Sequence, residues 1–228
     1  MSEAIVKLFE QGGGEFVSPP SVFIDKLKKI KAVLFDWDGV FNDGFKRGSD
    51  GSLFSEVDAM GTNLLRYALW RMNGALPVSA VITGELNPMA QSLSQRESFH
   101  EVYFHTKNKA IVFPAFCEKH NLKPEEVLFF FDDVLDIEVA RRCGARIMIG
   151  RPASPLLKKY ARDSSVADYI TSCDGGRHGL REGCELVIGL LGMFDAVVKN
   201  RSIVSEDYTG YLGERQKIKT ELVEQRLA

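Results

Sequence analysis

Two aspartates separated by one residue follow the first strongly apolar run of the chain. The run covers residues 32–35, and Asp36 and Asp38 come directly after it. Side chains two apart on an extended strand point to the same side, so both carboxylates can serve one site. One carboxylate of such a pair can act as a nucleophile, and the other can donate and accept protons.

Polar side chains also follow the later apolar runs. Thr83 and Gly84 follow the run 78–82, and Lys109 lies at the start of the helix predicted over 108–120. The run over 127–131 is followed by three more acids, which are Asp132, Asp133 and Asp136. Because ligands of open parallel sheets bind at the carboxyl ends of the strands, we expect these residues at one edge of a sheet.

The chemistry of this set is that of phosphoryl transfer. Clustered carboxylates repel one another unless a cation neutralises them, and few oxygen ligands of this kind are typical of Mg²⁺. A lysine and a hydroxyl beside that cation can hold a phosphoryl group, whose transition state spreads negative charge over its oxygens. The sequence therefore predicts a magnesium-dependent site for a phosphate ester.

The elements that must position these residues alternate between strands and helices. Buried strands are predicted for the apolar runs 32–35, 78–82, 127–131 and 145–149, with helices between them at 62–72, 88–99, 108–120 and 133–143. A further helix is predicted over about 180–198. This alternation predicts an α/β fold, a parallel sheet with helices on both faces. Asp50 and Gly51 lie between two short extended segments, which predicts a small β-hairpin over 41–57.

Three regions are predicted along the chain. Residues 1–30 read as an N-terminal extension, 31–200 as the phosphatase-like domain and 201–228 as a charged C-terminal tail. The chain has 228 residues, a formal charge of −2 and a pI near 6.1. The near-neutral balance argues against a nucleic-acid partner.

Membrane insertion and secretion are not predicted either. No apolar run approaches the roughly 20 residues that a transmembrane helix needs, and the first 30 residues lack the apolar core of a signal peptide. The cysteines stand far apart, at 117, 143, 173 and 184. Such spacing is typical of a reducing compartment, so a cytoplasmic location is expected.

The order of these motifs resembles that of the haloacid dehalogenase (HAD) superfamily of phosphatases. The matching positions are Asp36-x-Asp38-Gly39, Thr83-Gly84, Lys109 and Asp132-Asp133-x-x-Asp136. The chain also resembles the small capless branch of this superfamily. That branch includes the phosphatases of 3-deoxy-D-manno-octulosonate 8-phosphate and the C-terminal domain of acylneuraminate cytidylyltransferases. The matching positions are Asp43-Gly44, Asp58, Gly61, Asn108, Gly175-Gly176-Arg177 and Arg181-Glu182. The resemblance covers residues 31 to about 200.

The resemblance implies a role for each matching catalytic position. Asp36 would attack phosphorus, and Asp38 would act as the acid and base. Thr83, Gly84 and Lys109 would hold the phosphoryl group.

The resemblance also implies a metal site and a substrate site. Asp36, the backbone of Asp38 and Asp132 would bind Mg²⁺, with two further acids orienting the metal shell or the lysine, namely Asp133 and Asp136. The substrate would be a phosphorylated sugar acid of the 3-deoxy-2-ulosonate 8- or 9-phosphate type. Arg177 would bind its carboxylate, or alternatively would support the glycine turn. The capless branch also implies a homotetramer.

Four positions depart from the pattern of the branch. Val57 and Glu85 stand where arginines are usual, Phe131 stands where a glycine is usual, and Trp37 is bulky for its place between the two acids. The loss of two positive positions favours a less anionic substrate or a different ulosonic acid.

Other functions remain possible from the sequence. A HAD phosphatase of another sugar phosphate, or a non-catalytic assembly or regulatory domain of the same fold, would share these motifs. A signalling receiver domain also combines an acidic pair, an aspartate, a threonine and a lysine, but its phosphorylated aspartate follows a later strand. A phosphomutase would need a large cap domain to exclude water from the phosphoenzyme.

Overall fold

A computed structural model describes residues 2–225 and shows an eight-stranded, mostly parallel sheet between two layers of helices. The strands are β1 (Glu15–Phe16), β2 (Ala32–Asp36), β3 (Val78–Ile82), β4 (Glu101–Phe104), β5 (Val127–Phe131), β6 (Ala145–Met148), β7 (Tyr169–Ile170) and β8 (Glu221–Glu224). Their order across the sheet is β1-β7-β6-β5-β2-β3-β4-β8. All neighbouring strands are parallel except the pair β1 and β7. The predicted α/β fold is confirmed.

The helices cover both faces of the sheet. They are α1 (Ser2–Gln11), α2 (Pro20–Leu27), α3 (Glu56–Asn73), α4 (Pro88–Arg96), α5 (Lys109–Lys119), α6 (Ile137–Ala140), α7 (Pro155–Asp163), α8 (Gly179–Leu190), α9 (Phe194–Ser202) and α10 (Glu206–Arg215). None of the helices formed by residues 2–225 has the length and apolar composition that crossing a lipid bilayer requires.

The alternation of side chains along the central strand explains the two layers. Val33 and Phe35 of β2 pack in one core with residues of α2, α3 and α8. Ala32 and Leu34 point to the opposite face, where they pack with residues of α5, α6 and α7. A strand buried on both faces must be apolar throughout, which is why these strands read as continuous apolar runs.

The strand order places a switch point beside β2. The chain passes from β2 to β3 and β4 on one side, and then returns to place β5 on the other side of β2. Helices that follow β2 and β5 therefore diverge, and a crevice opens at the carboxyl ends of these two strands. Asp36 ends β2, and Asp132 follows the last residue of β5.

Both flanking segments add strands to the edges of the sheet. β1 pairs with β7, and β8 pairs with β4. Tyr208 and Tyr211 of α10 are buried against the same core as β2. The division of the chain at residues 30 and 200 stays a prediction, but both flanking segments pack on the region between them.

The predicted β-hairpin over 41–57 is wrong in its detail. The segment contains a single 3₁₀ turn at Gly48–Asp50 and no strand. The two residues that flank this turn are joined by a backbone hydrogen bond, from Arg47 N to Gly51 O at 2.8 Å. Asp50 ends the 3₁₀ turn instead of starting a two-residue hairpin turn, so the Asp-Gly signal marks a turn without flanking strands. The segment is nevertheless a small flap-sized loop, and no large cap domain is inserted among the described residues.

Two predicted helices are each divided into two shorter elements. The stretch 133–143 forms a 3₁₀ turn at Val134–Asp136 followed by the one-turn α6. The stretch 180–198 is divided into α8 and α9, because Gly192 adopts a φ of +70° between them. A positive φ of this kind ends a helix and is readily adopted only by glycine.

Candidate active site

Three buried carboxylates meet at the switch point. Asp36, Asp132 and Asp136 place carboxylate oxygens within 4.8 Å of one another. Asp36 is at the end of β2, and Asp132 and Asp136 lie on the segment that follows β5. The expectation that these motifs converge at one sheet edge is met by the geometry. Oxygens grouped at this spacing can bind one divalent cation together.

A buried lysine lies between two of these carboxylates. Lys109 Nζ donates to Asp36 Oδ1 at 2.5 Å and to Asp136 Oδ1 at 2.6 Å. Lys109 is the first residue of α5, and Asn108 caps this helix by accepting from Ala110 N at 3.2 Å. The cap fixes where the helix begins, and so fixes the direction of the lysine. Although burial opposes a charge here, the Asp36 and Asp136 carboxylates raise the pKa of Lys109 above its usual range, so it is a cation.

The carboxylates outnumber the nearby cations. Burial, together with repulsion from Asp136, raises the pKa of Asp36 to about 6 even though Lys109 opposes this. Burial and the Asp36 carboxylate raise the pKa of Asp132 to about 9. Asp132 Oδ1 is buried and accepts no hydrogen bond from the described residues. A bound divalent cation would supply both the missing positive charge and a partner for this oxygen, so the residues fit Mg²⁺.

The second aspartate of the motif lies at the mouth of the site. Asp38 Oδ1 accepts a hydrogen bond from Ser52 Oγ, and Asp38 Oδ2 lies 3.0 Å from Lys46 Nζ. Both partners belong to the loop after β2, so this loop holds the carboxylate in place. Asp38 keeps 28% of its side chain exposed, whereas Asp36 keeps 8%. Asp38 can therefore exchange protons with a substrate or with water.

The bulky Trp37 between the two aspartates is accommodated on the other side of the strand. Its ring is fully buried and stacks on Phe41, with the ring centroids 4.7 Å apart. Its Nε1 donates to Ser52 O at 3.3 Å. Trp37 thus anchors the loop whose Ser52 hydroxyl contacts Asp38, and it does not enter the site.

The threonine after β3 is buried, and the glycine that follows it is partly buried. Thr83 N donates to Tyr103 O at 2.8 Å, and Thr83 O accepts from Thr106 N at 3.1 Å, so the backbone is fixed on both sides. Thr83 Oγ1 is buried without a hydrogen-bond partner in the described part of the chain. Gly84 lines the same cavity as Asp36. Thr83 itself does not line this cavity, so a hydrogen bond from its hydroxyl to a phosphoryl oxygen stays a prediction.

The cavity has a volume of about 650 Å³. The predicted residues that line it are Asp36, Asp38, Gly84, Lys109, Asp132, Asp133 and Asp136. Asp133 is half-exposed and caps the following 3₁₀ turn by accepting from Val134 N at 2.7 Å. Asp136 directly holds Lys109, whereas Asp133 shapes the turn that carries Asp136.

Arg177 does not line this cavity. Its side chain is 81% exposed, and its nearest charged partner is Asp174 at 4.0 Å. The glycines before it are required by close packing, because a Cβ on Gly175 would overlap the backbone oxygens of Gly39 and Asn42. The turn therefore packs on the loop after Asp38, and the role of Arg177 itself stays a prediction.

Sequence reasoning missed four residues near the carboxylates. Arg151 pairs with Asp132, two loop residues (Lys46 and Ser52) contact Asp38, and Lys107 lines the cavity. A usable signal existed only for Arg151, because it follows the apolar run 145–149 as the other motifs follow theirs. The contacts of Lys46 and Ser52 depend on a loop without regular secondary structure. Such a loop has no periodic pattern of apolar residues from which its path could be predicted.

The positions that depart from the branch pattern have different surroundings. Glu85 lines the cavity, whereas Val57 is 43% exposed on the first turn of α3. Phe131 is fully buried at the end of β5 and stacks on Phe129. Of these changes, only Glu85 alters the charge of the cavity.

The fold and the site are those of a phosphoryl-transfer protein of the HAD type. The sheet is mostly parallel, an acid pair follows its central strand β2, a second group of acids follows β5, and a buried lysine lies between them. No model of a protein family matches the chain. The chain is 30% identical over 184 residues to 3-deoxy-D-manno-octulosonate 8-phosphate phosphatase KdsC of Escherichia coli strain K12, covering 79% of this chain and 90% of the relative.

Solved structures show the same fold. The 3-deoxy-D-manno-octulosonate 8-phosphate phosphatase of Yersinia pestis aligns with a TM-score of 0.62 and 23% identity, covering 76% of this chain and 89% of that one. The 3-deoxy-D-manno-octulosonate 8-phosphate phosphatase of Moraxella catarrhalis was solved with magnesium, phosphate and KDO. It aligns with a TM-score of 0.64 and 24% identity, covering 78% of this chain and 97% of that one. The chain belongs to the 3-deoxy-D-manno-octulosonate 8-phosphate phosphatase family, and it is a phosphatase of the HAD superfamily.

Proposed function

We propose that this protein hydrolyses a phosphorylated sugar acid of the 3-deoxy-2-ulosonate 8- or 9-phosphate type in a Mg²⁺-dependent reaction. The observation that carries the proposal is the buried group formed by Asp36, Asp132, Asp136 and Lys109 at the switch point of the sheet. The names of the curated relatives and the KDO, phosphate and magnesium in the Moraxella structure support the substrate class and the metal.

Asp36 acts as the nucleophile in the proposed reaction. One of its carboxylate oxygens attacks phosphorus, the bond from phosphorus to the sugar oxygen breaks, and Asp38 donates the proton that the leaving oxygen needs. Asp38, now a carboxylate, removes a proton from water, and the water oxygen attacks phosphorus. The bond to Asp36 then breaks and releases inorganic phosphate. Asp38 is suited to both proton transfers because it is partly exposed.

The residues that would hold the metal are Asp36, the backbone carbonyl of Asp38 and Asp132. When bound, Mg²⁺ neutralises negative charge on the phosphoryl oxygens and on the carboxylates around them. The unpartnered Asp132 Oδ1 supports this assignment, because a buried carboxylate oxygen without a partner is costly. Asp136 would keep Lys109 in place.

Lys109 and Thr83 hold the phosphoryl oxygens in this proposal. The lysine is a buried cation fixed by two carboxylates, and the threonine has a free buried hydroxyl. Preorganised groups of this kind stabilise charge in the transition state without having to reorganise.

Arg177 is proposed to bind the substrate carboxylate from the turn before α8. Arg177→Ala should then raise KM for the sugar-acid phosphate far more than for p-nitrophenyl phosphate, because only the first substrate carries a carboxylate. Steady-state kinetics with both substrates checks this. Equal effects on both would show that the exposed Arg177 has no role in recognising the carboxylate.

A homotetramer is proposed for the assembly. The loop after β2, whose Lys46 and Ser52 contact Asp38, exposes large apolar side chains, notably Phe45 at 77% and Leu53 at 37%. Exposed apolar groups at the mouth of a capless site are suited to packing against a neighbouring copy. Light scattering should report four copies per particle, and an active monomer would contradict the proposal.

The cytoplasmic location, predicted from the cysteines, also stays a prediction.

Phosphate release from 3-deoxy-D-manno-octulosonate 8-phosphate, compared with release from ordinary hexose phosphates, tests the proposed substrate class. We expect kcat/KM to be highest for the ulosonate. Because Glu85 lines the cavity and repels a nearby carboxylate, a second candidate function is hydrolysis of a neutral sugar phosphate. Faster turnover of the hexose phosphates would favour that candidate and reject the ulosonate.

A further inference from the structure

Arg151 lies in the segment after β6, which carries none of the predicted motifs, and it forms an ion pair with the predicted metal ligand Asp132. Its Nη2 donates to Asp132 Oδ2, and its Nη1 lies 3.9 Å from Asp133 Oδ2. The two oxygens of Asp132 thus have different surroundings, since Oδ2 is bound by the guanidinium and Oδ1 has no partner. We propose that Arg151 is a positioning residue that orients Asp132 and sets the affinity of the carboxylate group for a divalent cation.

The backbone around Arg151 is fixed relative to Asp132. Ile149 N donates to Phe131 O at 2.7 Å, which holds the segment beside the end of β5. Gly150 N donates to Thr171 Oγ1 at 2.8 Å, and a Cβ on Gly150 would overlap Thr171 O. These contacts fix the backbone from which the Arg151 guanidinium reaches Asp132.

The glycine of the first motif leaves space for this ion pair. Gly39 has a φ of +87°, and a Cβ at this position would overlap both Asp132 Oδ2 and Arg151 Nη2. A side chain at residue 39 would displace the pair as well as strain the backbone. The Arg151–Asp132 ion pair thus packs directly against the turn that contains Asp38 and Gly39.

The orientation has a direct consequence for the metal. With Oδ2 held by Arg151, Oδ1 is the Asp132 oxygen that stays free for coordination near Asp36 and Asp136. The same guanidinium places a fixed positive charge next to the site, and this charge opposes a second cation. We infer that Arg151 lowers the affinity for Mg²⁺ relative to a neutral donor in its place.

Calorimetric titration of the metal-free protein with Mg²⁺ tests this inference. Arg151→Gln keeps N–H donors but removes the charge, and we expect it to bind Mg²⁺ on the order of tenfold more tightly than the wild-type protein. Arg151→Lys keeps the charge and should bind Mg²⁺ with nearly wild-type affinity. Arg162→Gln is the matched control, because Arg162 pairs with Glu15 at the far edge of the sheet and should leave the affinity unchanged.

The inference rests on the proposed metal site, and the titration separates the two. If the wild-type protein binds Mg²⁺ but Arg151→Gln binds it equally or more weakly, Arg151 does not lower the affinity and only this inference fails. If the wild-type protein binds no Mg²⁺, both the metal site and the role of Arg151 are wrong. Circular dichroism of each variant shows whether its fold is retained.

Discussion

Replacement of Asp36 by asparagine is expected to lower kcat by a factor on the order of 10³ or more while leaving the fold intact. The amide has nearly the same shape as the carboxylate, but it cannot attack phosphorus. Phosphate release measured at saturating substrate and Mg²⁺ checks the loss. The loss should not depend on the identity of the phosphate ester, because every substrate needs the same nucleophile.

Asp25→Asn is a matched control for this variant. Asp25 is an exposed aspartate whose partner Lys28 lies one helical turn away on the surface. The same chemical change there should leave kcat unchanged. If Asp36→Asn keeps activity close to that of the wild-type protein, covalent catalysis by Asp36 is wrong.

Replacement of Lys109 by methionine should affect both activity and stability. The variant leaves Asp36 and Asp136 buried without their shared cation. Removing one partner of a buried ion pair typically costs about 3–5 kcal/mol of folding free energy. We also expect kcat to fall by a factor on the order of 10²–10³, because a fixed charge near the transition state is lost. Denaturant unfolding of the metal-free protein and steady-state kinetics measure the two effects.

Lys119→Met is the matched control on the same helix. Lys119 also pairs with a buried acid, Glu101, but its own side chain is 42% exposed and it does not line the cavity. This variant should lose less stability than Lys109→Met and should keep its kcat. An unchanged kcat in Lys109→Met would contradict a role for the lysine in holding the phosphoryl group.

The sequence allowed the central strands and their polar ends to be predicted because burial on both faces imposes a clear pattern. β3 and β5 coincide with the apolar runs 78–82 and 127–131. Once the strands are parallel, the residues after them must share an edge. For this reason Asp36, Lys109 and Asp132 could be brought together without a structure.

The remaining features depend on contacts that have no repeating pattern. β1 and β8 have only 2 and 4 residues, which is too short for a recognisable pattern. They form strands because they pair with β7 and β4 at the two edges of the sheet. The loop after β2 was predicted to be a hairpin because Asp50-Gly51 is a strong turn signal, but its path is set by contacts such as that of Trp37 with Ser52. The exposure of Arg177 could not be deduced either, since a glycine turn does not fix the direction of the next side chain.

Phosphate release from 3-deoxy-D-manno-octulosonate 8-phosphate, before and after removal of divalent metal, tests the central claim most directly. The account predicts that protein treated with a chelator and freed of it by dialysis releases no phosphate, and that added Mg²⁺ restores the full rate. Ca²⁺ should not restore it, because its looser coordination would misplace the attacking Asp36 carboxylate. Full activity in the thoroughly chelated protein would contradict the assignment of Asp36 and Asp132 as ligands of a catalytic cation.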